Sequence, residues 1–189
     1  MQCRLQGRHR PQHAALLPDT PLLQLGRRPT DPRGGRLRIA DVSFQRGDKV
    51  TGRYRLIEVI GAGGMGRVWR AHDDLLDRQV AVKEIVLPDE LTLDEKRAAQ
   101  QLTVREARTA ARLDHPNVVR AFDVVWTPGR SWIVMEHVPS RSLHEVIESE
   151  GPLAPERVAQ IGLKILDALC AAHARGVLHR DVKPHNVLI

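Results

Sequence analysis

The chain of 189 residues is long enough for one sizeable core or two small ones, and its 42% hydrophobic and 28% charged residues speak against a fibre or a membrane bundle. A net charge of +6 suggests nucleic acid until it is located: residues 1–46 hold nine arginines against three aspartates, and the remainder is balanced. The two cysteines, Cys3 and Cys170, form neither a disulfide framework nor a metal-ligand cluster and fit a reducing, cytoplasmic setting, and no apolar run approaches the ~18 residues that cross a bilayer.

Residues 1–46 combine five prolines and nine arginines with no sustained hydrophobic period. Such a segment cannot bury enough surface to offset its ordering entropy, so it reads as a disordered Arg/Pro-rich tail. An electrostatic arm for nucleic acid or anionic lipid is the functional alternative, but no aromatic side chains are interleaved for base stacking, and no specific nucleic-acid partner is expected. Pro18, Asp19 and Pro21 interrupt the apolar run from Ala14 to Leu25, which argues against a targeting peptide.

From Tyr54 the texture changes. Tyr54 to Ile60 reads as a strand running into Gly61-Ala62-Gly63-Gly64-Met65-Gly66, and Arg67 to Ala71 reads as the returning strand of a hairpin. Glycines at 61, 63 and 66 let main-chain N–H groups approach phosphate oxygens without intervening Cβ atoms. A dinucleotide-binding fingerprint would need a helix directly after them, and the β-rich run that follows removes that context. Arg78 to Val86 is a further strand whose alternation places Ala81, Lys83 and Ile85 on one face and Val80 and Val82 on the other. A lysine among apolar neighbours needs an anionic partner or a path to water. The next helix offers one: Thr92 to Glu95 is a capping-box pattern, and Ala99, Leu102, Glu106, Ala110 and Leu113 recur at helical steps, placing Glu106 in an apolar stripe.

His115-Pro116-Asn117 stops that helix, and Val118 to Trp126 and Ser131 to Glu136 are two more strands joined by turn-forming residues. Glu136 to Ser140 reads as an extended connector. Ser142 and Glu145 form a second capping box, Pro155 opens a long helix and Gly176 closes it. On that helix Val158, Ile161, Ile165, Leu169 and Ala172 form the inward stripe, with Cys170 beside it as core filling. The loop His179-Arg180-Asp181-Val182-Lys183-Pro184-His185-Asn186 then gathers a group that can accept a proton, one that can steady a phosphate, and an amide carbonyl that can meet a hard cation. Pro184 biases Lys183 away from helix and favours an ordered, side-chain-presenting loop.

In order and spacing these motifs resemble the first part of a eukaryotic-type serine/threonine protein kinase domain of the bacterial kind. Gly61 precedes Lys83 by 22 residues, Lys83 precedes Glu106 by 23 and Asp181 by 98. The resemblance implies an α+β, protein-kinase-like fold: an N-lobe over 54–136 with a five-stranded antiparallel sheet and one helix, a hinge over 136–141, and an incomplete C-lobe over 142–189. It implies ATP and Mg2+ as cofactors and a protein Ser/Thr hydroxyl as acceptor. Gly61 to Gly66 would cover the phosphates, and Lys83, paired with Glu106, would hold two of them. Val68, Ala81 and Leu188 would enclose the adenine, Met135 would guard the back of the pocket, and Glu136 and Val138 would supply backbone hydrogen bonds. Asp181 would be the catalytic base, Lys183 would stabilise the transferring phosphoryl group, and Asn186 would hold magnesium. No Asp-Phe-Gly motif or activation segment follows, so the resemblance implies a domain truncated before its second magnesium carboxylate and negligible activity of these residues alone. A non-catalytic nucleotide-binding or scaffolding fragment is the alternative.

Overall fold

The structure, a computed structural model, describes residues 14–16, 43–63, 66–87, 91–128 and 130–189. The chain divides into two compact units, one comprising Asp19–Arg112 with Arg120–Val138, the other Met1–Pro18, Leu113–Val119 and Pro139–Ile189. In chain order the strands are β1 (Ala15–Leu16), β2 (Lys49–Val50), β3 (Tyr54–Gly63), β4 (Gly66–Asp73), β5 (Arg78–Val86), β6 (Ala121–Thr127), β7 (Arg130–Glu136) and β8 (Val187–Leu188), and the helices are α1 (Leu93–Ala111), α2 (Leu143–Glu150) and α3 (Pro155–His173).

The larger unit is built on a six-stranded antiparallel sheet in the order β2-β3-β4-β5-β7-β6. The five expected strands are present, and the short β2 adds a sixth at the edge. Two bulges in β3, between Leu56 and Glu58 and between Val59 and Gly61, break its register with β4, which increases local twist where the glycines begin. On one face Tyr54, Leu56, Trp69, Ala71, Val80, Val82, Trp132 and Val134 form the core, with Phe44 packed edge-on to Trp132. Helix α1 packs against β6 and β7. Its buried stripe is Ala99, Thr103 and Ala107, with Leu102 and Ala110 only half-buried. This corrects the stripe read from the sequence: small residues admit close approach to the sheet, and the Thr103 hydroxyl is satisfied by donating to the Ala99 carbonyl at 3.0 Å. The capping box is formed as expected, with Thr92 and Glu95 bonded reciprocally.

At the β2–β3–β4 end the sheet is held by charge. Asp73 is fully buried and accepts two guanidinium N–H groups of Arg53, at 2.6 and 2.7 Å, and the backbone amides of Leu75 and Leu76. Arg53 holds its carboxyl down at about 2, against the opposing effect of burial. The Tyr54 hydroxyl donates to Asp123 at 2.9 Å, and burial together with that bond raises its titration well above the ordinary phenol range.

In the smaller unit Ser142 and Glu145 form the second capping box, Pro155 stands at the start of α3, and Gly176, at φ +71°, closes it. Ile161, Ala168 and Ala172 are the buried positions of α3, with Ile165 and Leu169 half-buried. Two readings of that helix are corrected: Val158 is 53% exposed, as Leu163 and Leu166 also are exposed, and Cys170 is exposed rather than core filling. The apolar stripe is wider than the surface covering it. The strand expected from Val118 begins at Ala121, because Val118 is bridged to Leu16 and Asn117 sits in a turn. A further correction concerns the tail: Ala14, Ala15 and Leu16, expected to be disordered, are buried, and β1 pairs with β8. Most of the remaining tail lies outside the described residues. No helix among the described residues is long and apolar enough to cross a membrane.

Because Asp73 has a lowered pKa in the folded chain, its contribution to stability is complete above the unfolded carboxylate value of about 3.9 and disappears as pH falls through the folded value. Asp73→Asn should cost roughly 2–3 kcal/mol at neutral pH, by removing the bidentate partner of the Arg53 guanidinium and leaving it only Asp123, 4.0 Å away. Urea unfolding between pH 2 and 7 should show the wild type weakening steeply below pH ~4 and the variant losing that part of the slope.

Candidate active site

The expected site residues fall on both units. In the larger one, β3 and β4 approach each other at the glycines: Gly61 is opposite Val68, Ala62 opposite Arg67 and Gly63 opposite Gly66. Gly64 and Met65, at the tip, lie outside the described residues. Gly66 takes φ +131°, and a Cβ there would lie 2.3 Å from the Glu84 carbonyl oxygen. Only glycine fits that position. Gly61 is different, since its φ is not positive and a Cβ would rest 3.7 Å from the Val68 Cβ, an ordinary contact. Its lack of a side chain is therefore not demanded by packing or by backbone conformation.

Across the sheet Val68 pairs with Lys83, and Lys83 with Ile133; one row further along Arg70 pairs with Ala81, and Ala81 with Met135. Pleating puts Val68, Lys83, Ala81 and Met135 on the face opposite Trp69, Val82 and Val134. Ala81 and Met135 are buried, and Val68 and Lys83 half-buried. Glu106 lies on α1 one residue before the buried Ala107, and its side chain lies outside the described residues. Glu136 ends β7 with its N–H donating to the Arg120 carbonyl at 2.8 Å, so a main-chain hydrogen bond to a ligand would be one that its carbonyl accepts. Val138 follows in the irregular connector.

A further group was not read from the sequence. Glu84, next to Lys83, is only 1% exposed and is clamped by Arg67, at 2.9 Å, and by Arg130. Arg67 also lies over the Trp69 ring, 4.8 Å from its centroid. A charged residue alternating with Val80 and Val82 was the available signal, because it had to find cationic partners on neighbouring strands.

In the smaller unit the loop from His179 to Asn186 is built on main-chain bonds. The Asp181 N–H donates to the His179 carbonyl at 2.7 Å, closing a γ-turn around Arg180, which takes φ +58°. For a non-glycine residue that conformation costs on the order of 1–3 kcal/mol. Lys183 is extended, and Pro184–Asn186 form a single 3-10 turn leading into β8. Three side chains converge. The Lys183 ammonium lies 2.8 Å from Asp181 Oδ2, and Asn186 Nδ2 donates to the same oxygen at 2.9 Å and to the Asp181 carbonyl at 2.8 Å. Leu188, two residues beyond Asn186, is half-buried in β8.

The Lys183 ammonium, and after it the Asn186 amide, hold the Asp181 carboxyl below its usual range, although burial pushes the other way. At neutral pH Asp181 is thus an anion that can accept a hydrogen bond and, with a modest driving force, a proton. Since Asn186 donates through Nδ2, its Oδ1 is the end suited to a hard cation. The fit to a divalent ion is partial: Asn186 offers one neutral oxygen, and among the described residues no group of three or more His, Cys, Asp or Glu is arranged for a metal.

Two outcomes follow from this geometry. Gly66→Ala should destabilise the larger unit by roughly 3 kcal/mol, whereas Gly61→Ala should stay within about 1 kcal/mol, a contrast measurable by urea titration. Lys183→Met should move the Asp181 titration back up toward about 3.9, followed by 13C NMR of the carboxyl carbon; an unmoved titration would mean that Asn186 and the loop backbone, not the ammonium, stabilise the anion.

The protein kinase domain family matches residues 54–189. The serine/threonine-protein kinase PrkC of Bacillus subtilis is 41% identical over 143 residues, covering 76% of this chain and 22% of that protein. The serine/threonine-protein kinase pkn3 of Myxococcus xanthus is 39% identical over 154 residues, covering 81% and 27%. The chain therefore spans about a quarter of the length of these curated relatives. Among solved structures, the Mycobacterium tuberculosis PknI kinase domain matches with a TM-score of 0.66 at 31% identity, covering 78% of this chain and 59% of that one. Rad53 1-466 in complex with AMP-PNP matches with a TM-score of 0.63 at 28% identity, covering 74% and 35%. A match that runs from the first residue of β3 through β8 admits one assignment: the chain belongs to the protein kinase family, with serine/threonine kinases as its relatives.

Proposed function

We propose that these residues carry the nucleotide-handling and base-supplying parts of a serine/threonine kinase that moves the γ-phosphoryl group of ATP to a protein hydroxyl. The observation that carries the reading is the convergence of Lys183 and Asn186 on Asp181, within 2.8 and 2.9 Å. Phosphoryl transfer needs positioned charge more than covalent chemistry. Asp181 orients the acceptor hydroxyl and takes its proton as the oxygen attacks. Lys183, already at the carboxylate, offsets charge on the phosphoryl oxygens. Lys83 holds two ATP phosphates with Glu106 as its partner, Gly61 to Gly66 cover them, and Val68, Ala81, Met135, Glu136, Val138 and Leu188 receive the adenine. Magnesium, when bound, would offset phosphate charge, and Asn186 Oδ1 is the ligand this chain supplies. In this proposal 54–136 is the N-lobe, 136–141 the hinge and 142–189 the C-lobe portion.

The second reading, nucleotide binding without turnover, is favoured by one observation: the metal donor set among the described residues is sparse. We expect negligible phosphoryl transfer by the 189-residue chain. Incubation with labelled ATP, magnesium and a generic protein substrate should give no incorporation above the Asp181→Asn variant; incorporation that this substitution abolishes would establish turnover. A thermal shift with ATP that disappears in Lys83→Met would support nucleotide binding, and no shift in the unaltered chain would remove it.

A further inference from the structure

The two arginines that hold Glu84 are each backed by an aromatic ring. The Arg67 guanidinium lies over Trp69, 4.8 Å from the ring centroid, and the Arg130 guanidinium lies over Phe44, 5.7 Å away. Trp69 belongs to β4 with Arg67. Phe44 comes from elsewhere: it precedes the residues that match the kinase family and falls in the stretch whose composition reads as a disordered tail. Its ring also meets Trp132 edge-on, with centroids 4.7 Å apart. Trp132 is fully buried, stands opposite Glu84 across the β5–β7 ladder and donates its indole N–H to the Thr127 hydroxyl at 2.9 Å. Phe44 is thus a member of the Glu84–Arg130–Trp132 cluster that the sheet itself does not supply.

The chain before β2 is shaped to deliver that ring. Asp48 closes a tight turn, its carboxylate accepting the Gln45 N–H at 2.7 Å and its own N–H donating to the Gln45 carbonyl at 3.1 Å, and Gly47 takes φ +94° within it. The Gly47 N–H donates to the Leu56 carbonyl at 2.8 Å and the Asp48 carbonyl accepts the Leu56 N–H at 2.9 Å, which ties the turn to β3. From Ser43 to Lys49 every residue except Phe44 is exposed, so the ring is the apolar anchor of this segment ahead of the buried Val50. A ring face attracts a guanidinium and shields it from water at the same time. Withdrawing the ring admits water to Arg130 and so weakens its hold on a carboxylate that is 1% exposed. Glu84 adjoins the groups that face the nucleotide in the proposed reading: its carbonyl oxygen lies against Gly66, and its chain neighbour Lys83 pairs with Val68.

We propose that Phe44 is a positioning residue for the nucleotide site: it keeps Arg130 on Glu84, and through Glu84 it fixes Lys83 and the Gly66 end of the hairpin. The consequence rests on the nucleotide-binding reading, whereas the contact does not, so the test on the 189-residue chain has two arms. Without nucleotide, the Lys83 and Glu84 amides should exchange about 3-fold faster in Phe44→Leu, which keeps apolar bulk and removes the ring, and Phe44→Tyr should restore the original rates. The Thr103 amide of α1 should exchange equally in all three proteins. Unchanged exchange in β5, or a Thr103 rate that rises in step with it, overturns the proposal. With Mg-ATP, Phe44→Leu should weaken affinity about 3-fold by isothermal titration calorimetry. That loss should vanish in a Glu84→Gln/Arg130→Gln background, which leaves no buried carboxylate unpaired; a loss of the same size there rejects the route through Arg130. If the unaltered chain binds no ATP, the nucleotide-binding reading fails and the role of Phe44 at that site fails with it, while β5 exchange still decides whether the ring governs Glu84.

Discussion

A carboxylate buried in the middle of a sheet constrains the larger unit. Glu84 reaches Arg67 on one neighbouring strand and Arg130 on the other, so β4, β5 and β7 can pair in only one register without leaving a charge unpaired. Ion pairs of this kind contribute little net stability, because desolvation offsets the attraction, but the wrong register would cost several kcal/mol. A slip of one residue would also turn every side chain of β5 to the opposite face. Lys83 follows from Glu84: with the carboxylate fixed on the face of Trp69 and Trp132, its neighbour must project from the other, beside Val68 and Ala81. The same backbone reaches the glycine hairpin, where Gly66 lies against the Glu84 carbonyl at a distance that no Cβ could occupy. One residue thus orients the lysine, positions the turn and orders three strands.

The loop of the smaller unit uses a different device. Arg180 is held in a left-handed conformation in a γ-turn, an arrangement that lasts only if its surroundings over-determine it. They do so from both sides. Upstream, the His179 carbonyl accepts the Asp181 N–H; downstream, Asn186 bonds both the main chain and the side chain of Asp181. The strain lies beside the carboxylate with the lowered titration. Asp181 is therefore placed by backbone geometry and kept anionic by Lys183, two separate effects that converge on one side chain.

What could be read from the sequence was local. Thr92 with Glu95, Ser142 with Glu145, Pro155 and Gly176 each mark a helix end through bonds or dihedrals within a few residues, and all are found where expected. The strands around the glycines and Lys83 likewise announce themselves by alternation. What escaped depends on partners remote in sequence. Periodicity says that Val158 and Cys170 lie near an apolar stripe, but not which part of α3 is covered. Glu84 has no meaning until Arg67 and Arg130 are brought beside it. Nothing in Ala14-Ala15-Leu16 announces a strand whose partners lie near the opposite end of the chain, and neither glycine nor asparagine marks the left-handed residue at 180. The roles given to individual site residues came from the resemblance, which the residues prompted but could not themselves supply.

The two units apply one rule at different scales. In each, a candidate site residue stands next to a residue whose environment leaves it no choice. Lys83 is adjacent to Glu84, which two arginines hold, and Asn186 is adjacent to Val187, which is 2% exposed and paired in β8. The arrangement resolves a conflict between stability and chemistry. A group that binds phosphate or metal must keep a face open, and so cannot be buried or fully bonded without losing its use. Its neighbour has no such duty and can be packed to the limit. Because strand geometry alternates with a period of two, a buried anchor at one position dictates the direction of the next. The positions that govern the candidate site are therefore as much the anchors as the groups they aim.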